Sequence, residues 1–366
     1  MTAPSTERTA AAPAGATPAG AVRPAGFTLV RRGRGSFLVH RRAAVAASAF
    51  AVLTAGVSLA YLCLGDSYVA PADVVNVLTG SPASAEFIVE ELRLPRLILG
   101  LLVGAAFGVG GALIQTVARN PLASPDIIGV SQGASALTIG ALTFGVSSFS
   151  VLPYFSVAGG VAAACLVYLF AWRGGLHAAR FVLIGIGVAI ALRSVTHLFI
   201  TKGEYLIAHQ SQVWLTGSLN GRGWEEATPL GWTLLALTPC LLWAARAQRT
   251  AAFDDDTARA LGVPLQRTRF GLALLGVFLA SVATGAAGPV DFVALLAPQI
   301  ARRLTRTPQI PLLSSGLLGA FIVVAADLPA RVMFAPVEVP VGVLTAAVGA
   351  PYLIWLIVRG RTGGKA

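Results

Sequence analysis

Few residues in this chain have the type and spacing for chemistry, and most of them are basic. Arg193 and His197 stand four apart within the apolar run 181–200, so they share one helix face. An arginine inside such a run turns toward protein or water rather than lipid. It either lines a path or bonds to neighbouring helix carbonyls, and His197 reads as its helix neighbour. Asp327 and Arg331 repeat the four-residue spacing, which fits a local ion pair bent by Pro329. Asp66, Asp126, Asp291 and Asp327 fall near the ends of apolar runs, not mid-run, where a proton-coupled carrier usually keeps its acid. Cys63, Cys165 and Cys240 lie in apolar runs and read as small buried hydrophobes. The four histidines are scattered, so no metal spacing emerges, and neither a metal nor a cofactor is expected. "GRTGGKA" lacks the glycine-to-lysine spacing of an ATP-binding loop, and no nucleophile–base constellation suggests an enzyme.

The elements that must position these residues are membrane helices. Of the 366 residues, 55% are hydrophobic and only 12% charged, against about 25% charged in soluble domains. Mean hydropathy is +0.75. The net charge of +11 then orients membrane loops; a nucleic-acid partner is not expected. Apolar runs near 44–64, 94–117, 127–146, 151–171, 181–200, 229–245, 270–287, 292–304, 311–329 and 341–358 predict an all-α, polytopic fold of about ten transmembrane helices. With a cytoplasmic N-terminus, 21 of the 27 Lys and Arg fall on inside segments and five on outside ones. That bias places both termini in the cytoplasm. Residues 1–42 predict a disordered cytoplasmic tail, 43–359 the membrane domain and 360–366 a short cytoplasmic tail.

Two connections stand out. "RNPLASPDIIGVSQGAS", residues 119–135, breaks the chain at Pro121 and Pro125 and then re-enters the membrane. Asp126 fits a helix-start cap, and Ser131, Gln132 and Ser135 face protein or a path. "DDDTARALG", residues 254–262, predicts a short cytoplasmic helix with acids at its start and Gly262 at its stop. It is either an ordinary surface helix or a docking knob for a cytoplasmic partner. Gly104-x-x-x-Gly108 predicts close helix packing.

The chain resembles the iron-siderophore ABC importer permeases, whose relatives include the vitamin B12 permease. The resemblance is carried by residues 91–135, by "DDDTARALGVPLQRTR", by "GAAGPVDFVALLAPQIARRL" and by "AADLPAR…VEVPVGVLTAAVGAPYLIWLI". It implies the architecture of a type II ABC importer permease in the plasma membrane. Two permease subunits would form the pore, here a heterodimer, surrounded by membrane lipid. Cytoplasmic ATPases would dock on the coupling helix through Asp254, Ala258, Leu261 and Gly262. An external binding protein would dock on Arg93, Arg96 and Arg331. Asn120 and Leu122 match positions that narrow the inner end of the path, to which the residues above add Gln132 and Arg193. Two departures are Ala178 and Ala179, where the gate's other side is hydroxyl-rich in the B12 permease, and Gln299, where many relatives have His. The resemblance also implies an inverted repeat with the third and eighth spans in matching places. The expected cargo is a ferric siderophore, of a catecholate, enterobactin-like kind. Vitamin B12 or haem is the alternative, and an ion-coupled secondary transporter a more remote one.

Overall fold

The computed structural model describes residues 27–362 except 33–34, 82–84, 147–150, 172–177, 252–254, 261, 263, 308 and 335–336. Residues 27–40, expected within a disordered tail, form an antiparallel hairpin of β1 (Phe27–Arg32) and β2 (Gly35–His40), with Phe27 opposite His40. The cause is local: "FTLV" and "SFLV" supply β-branched and aromatic residues on both strands. His40 then caps the first membrane helix through its ring nitrogen, which accepts the Ala43 N–H.

The rest is helical. In order come α1 (Arg41–Cys63), α2 (Pro71–Leu78), a π-helical turn (Ile88–Arg93), α3 (Leu94–Ala118), α4 (Val130–Thr143), α5 (Leu152–Ala171) and α6 (Ala178–Lys202). Then follow α7 (Tyr205–Leu215), α8 (Trp224–Ala236), α9 (Thr238–Ala251), α10 (Asp255–Ala260), α11 (Leu265–Ala287), α12 (Val293–Thr305), α13 (Leu312–Val332) and α14 (Val341–Thr362). Among these, six helices are long and apolar enough to cross a bilayer: α1, the run through α3, α5, α6, α11 and α13. The pair α8 and α9, bent by 51°, makes up to a seventh. The expected ten full spans are therefore not what length supports. The predicted runs 127–146 and 292–304 become α4 and α12, of 14 and 13 residues. Each extends only about 20 Å, short of a hydrocarbon core of about 30 Å.

The α3 helix is the axis of the molecule: 72% of its apolar window is buried, against 11% for α1 and α6. It packs on α13, α11, α12 and α8. The predicted small-residue face makes this possible. A Cβ on Gly104 would overlap the Gly319 carbonyl oxygen, and one on Gly108 the Ser315 carbonyl oxygen. Cys63 is buried as expected, but Cys165 and Cys240 are exposed on the chain's surface. Their apolar runs present those positions outward, where a small apolar side chain suits lipid or a neighbouring subunit.

Helix lengths expose a repeat that residue identities hide. The set α3 to α6 has 25, 14, 20 and 25 residues; the set α11 to α14 has 23, 13, 21 and 22. Packing matches too: α3 lies on α13 and α12, as α11 lies on α5 and α4. The two short helices occupy corresponding places, as the resemblance implies.

Candidate docking face and translocation path

At the helix ends that the charge bias assigns to the outside, Arg93, Arg96 and Arg331 gather as the resemblance implies. They do not project into solvent: the three are 4%, 7% and 9% exposed. The last turn of α1 leaves carbonyl oxygens without helical donors, and two of the arginines supply donors. Arg93 Nη1 donates to Leu62 O at 2.7 Å, and its Nη2 to Ser67 O. Arg331 Nη2 donates to Tyr61 O at 2.9 Å and to Leu64 O, with the guanidinium 4.3 Å over the Tyr61 ring.

Arg96 is held differently. Its Nε and Nη2 donate to the two oxygens of Asp327, both at 2.9 Å, and Nη1 donates to Glu338 at 2.8 Å. Tyr61 OH also donates to Asp327, at 2.6 Å. Asp327 thus pairs across to α3, and the expected local pair with Arg331 gives way to it. A bidentate fork on a fully buried carboxylate outweighs a one-turn contact near Pro329. The arginines still border open space. A depression of about 640 Å³ is lined by Arg93, Arg96, Arg222, Arg331, Asp66, Glu91 and Glu338, among others. A second, of about 500 Å³, shares Asn220, Gly221, Arg222 and Glu338 and adds His209, Gln210 and Trp214.

Toward the interior, α4 and α12 each begin after a break. Gly129, with φ of 90°, precedes α4; Phe292, with φ of 67°, precedes α12. Each break carries an acid. Asp126 accepts a hydrogen bond from the Ser131 hydroxyl on α4, but it is not the expected helix-start cap: the N-cap position is Gly129, and no side chain caps the first backbone N–H groups. Asp291 is exposed, and the charge of Arg193 on α6 reaches it from the other half. Arg193 is itself exposed, as is His197, while Gln132 is half-buried and Ser131 and Ser135 are buried.

At the inner end, Arg119 takes a left-handed conformation, with φ of 48°, and closes α3. Asn120 Oδ1 accepts the Leu122 N–H at 2.9 Å, an Asx turn that fixes the bend. A cavity of about 210 Å³ opens there among Gln115, Arg119, Asn120, Gln248 and Arg302, while Leu122 is half-buried beside it. Ala178 and Ala179 begin α6. Gln299 Nε2 donates to Gln115 Oε1 at 2.5 Å, and Gln115 Nε2 to Leu295 O at 3.2 Å. The sequence departure at Gln299 is thus a buried amide clasp between α3 and α12. Gln115, Tyr61 and Glu338 escaped sequence reasoning, because each matters only through partners on distant helices.

The short helix expected over residues 254–262 is α10, six residues long, with Gly262 exposed beyond it at φ of 72°. Asp254 and Leu261 lie outside the described residues. Ala258 is fully buried against its own chain, so it is not a free contact for a cytoplasmic partner. Its small side chain lets α10 lie close on α11, leaving Thr257 and Ala260 exposed.

Comparison with known proteins completes the assignment. The achromobactin transport system permease protein CbrC of Dickeya dadantii is 37% identical over 90% of this chain and 96% of its own length. The ferric enterobactin transport system permease protein FepG of Escherichia coli is 39% identical over 76% of this chain and 84% of its own. A solved metal-chelate type ABC transporter in an inward-facing conformation superposes with a TM-score of 0.75 at 25% identity, covering 86% of this chain and 99% of that one. The model of the FecCD transport family matches residues 52–359. The protein is a multi-pass membrane protein, and it belongs to the FecCD transport family.

Proposed function

We propose that this chain is a permease subunit of an ABC importer that carries a ferric siderophore across the plasma membrane. The observation that carries the reading is chain-long similarity to two permeases whose names specify achromobactin and ferric enterobactin transport. The broken helices α4 and α12 support it, because broken pairs flank the path in transporters built from repeats. In this reading α1, α3, α5, α6, the α8–α9 pair, α11, α13, α14 and the two short helices together make ten passages. Both termini are then cytoplasmic. The cargo arrives already chelated, so the permease supplies no iron ligands. Among the described residues, no group of three His, Cys, Asp or Glu is placed to hold a metal.

Roles follow from position. The arginine-bearing outer depression around Arg93, Arg96 and Arg331 receives acidic side chains of an external binding protein. Gln132, Arg193 and Asp291 face the path, and Asn120 and Leu122 narrow its inner mouth. The exposed face of α10, through Thr257 and Ala260, and the adjoining sequence positions Asp254, Leu261 and Gly262 meet a separate cytoplasmic ATPase that hydrolyses ATP. A second, different permease completes the pore.

The cargo is assigned to the catecholate class, on likeness to the enterobactin permease and on "RNPLASPDIIGV" and "VDFVALLAPQIARRL". The test is uptake of radiolabelled iron chelates by a strain lacking this chain. Loss of ferric catecholate uptake with citrate and hydroxamate uptake intact is expected. Loss of citrate or hydroxamate uptake alone overturns the catecholate assignment, and unchanged uptake of all iron chelates overturns the siderophore reading.

A further inference from the structure

Arg96 divides its donors between two carboxylates that differ in accessibility. Nε and Nη2 point inward to Asp327, whose side chain is fully buried, whereas Nη1 points to Glu338, whose side chain is 25% exposed. The inner pair is bidentate and shielded. The outer contact is single and partly in solvent, where ion pairs are weak and exchange readily. Glu338 sits on the connection between α13 and α14, and it borders both outer depressions.

The charge around the larger depression sharpens the point. Four arginines line it with Asp66, Glu91 and Glu338; of the four, Arg96 is paired with Asp327 and Glu338 and Arg222 with Glu226, which among the described residues leaves Arg93 and Arg331 without a carboxylate in direct contact. Arg93 and Arg331 donate to backbone carbonyls, which do not cancel a full charge, and Arg331 Nε is buried without a partner. Glu338 therefore holds the place on Arg96 that an incoming carboxylate would take.

We propose that Glu338 is a built-in competitor for an acidic side chain of the external binding protein: it occupies Arg96 Nη1 in the free permease and is displaced on docking. This rests on the docking reading above. Displacement frees the connection into α14, whose Gly342 N–H is bonded to Gly217 O at 3.1 Å behind the second depression. Docking is thereby linked to the wall between the two depressions.

The test uses the complete permease–ATPase complex in lipid nanodiscs and the binding protein that restores uptake with this permease. Glu338→Gln keeps the side chain's shape and leaves Arg96 neutralised by Asp327, so the complex is expected to assemble. It should bind the binding protein about tenfold more tightly, with faster association and steeper salt dependence. Unchanged or weaker binding overturns the proposal. If Glu338→Gln fails to assemble, Val337→Cys, at a 69% exposed position, carries a polarity-sensitive fluorophore instead. Its signal must change on docking, and a constant signal overturns displacement. Salt-independent docking by the unmodified complex would remove the docking reading itself. Salt-dependent docking with an unmoved Glu338→Gln value removes only the competitor.

Discussion

The breaks before α4 and α12 occupy matching places in the two halves, yet they are built differently. The first is long and braced by its own turns: Ile128 N donates to Ser124 O, Gly129 N to Asp126 O and Val130 N to Pro125 O, at 3.0 to 3.2 Å. Arg119 is left-handed where this break leaves α3, but the left-handed residue that leads into α4 is Gly129, which takes that conformation at no steric cost. The second is short, and its left-handed residue is Phe292, where a side chain costs about 1–2 kcal/mol. Packing holds it there. The Phe292 ring lies where a Cβ on Gly349 of α14 would be, and Leu296 N donates to Phe292 O at 2.8 Å. The entry into α4 is relaxed and self-supporting. The other is strained and supported by a neighbouring helix, so it is the one that a shift of α14 would move.

The largest effect that breaks this comparison is expected from Gly349→Leu. The added side chain would collide with Phe292, where a Cβ would already stand 2.5 Å from its Cβ. Assembly of the purified complex, followed by size-exclusion chromatography, should be lost or more than about tenfold reduced. Gly129→Ala comes next. It adds left-handed strain and sets a Cβ 3.2 Å from the Ala189 backbone. Stability in detergent should fall by about 1–2 kcal/mol, read by thermal unfolding. A smaller effect separates the two acids. Asp291→Asn removes the exposed charge opposite Arg193 and should lower transport several-fold with normal insertion. Asp126→Asn keeps an acceptor for Ser131 and should lower it less. Equal losses in both would erase the distinction. Gln299→His should change uptake less than about twofold, because an imidazole nitrogen can still donate to Gln115.

Much of the fold was legible because the bilayer demands apolar runs of fixed length: nine of the ten predicted runs correspond to one helix each, 94–117 landing on α3 within a residue, while 229–245 is divided between α8 and α9. What periodicity could not convey was how the short runs stop. Phe292 takes a glycine-like conformation that its residue type argues against, and only α14 makes it tolerable. The outer arginines show the same limit. Loop charge put Arg93, Arg96 and Arg331 at one face, but their burial depends on carbonyls of α1 and on Asp327, 231 residues from Arg96. By resemblance the small side chain of Ala258 permits close approach of a partner; it is buried instead, where α10 packs on α11 of its own chain. The hairpin at 27–40 was hidden by the low-complexity residues ahead of it, although its β-branched and aromatic residues were present in the sequence.

The central claim is that this chain forms a conduit driven by a separate ATPase and fed from outside. Uptake of radiolabelled ferric enterobactin into proteoliposomes holding this permease, its partner permease and the ATPase tests it most directly. Uptake should require internal ATP and the external binding protein, and should continue when a protonophore collapses the proton gradient. Uptake that persists without ATP and stops with the protonophore would contradict the account.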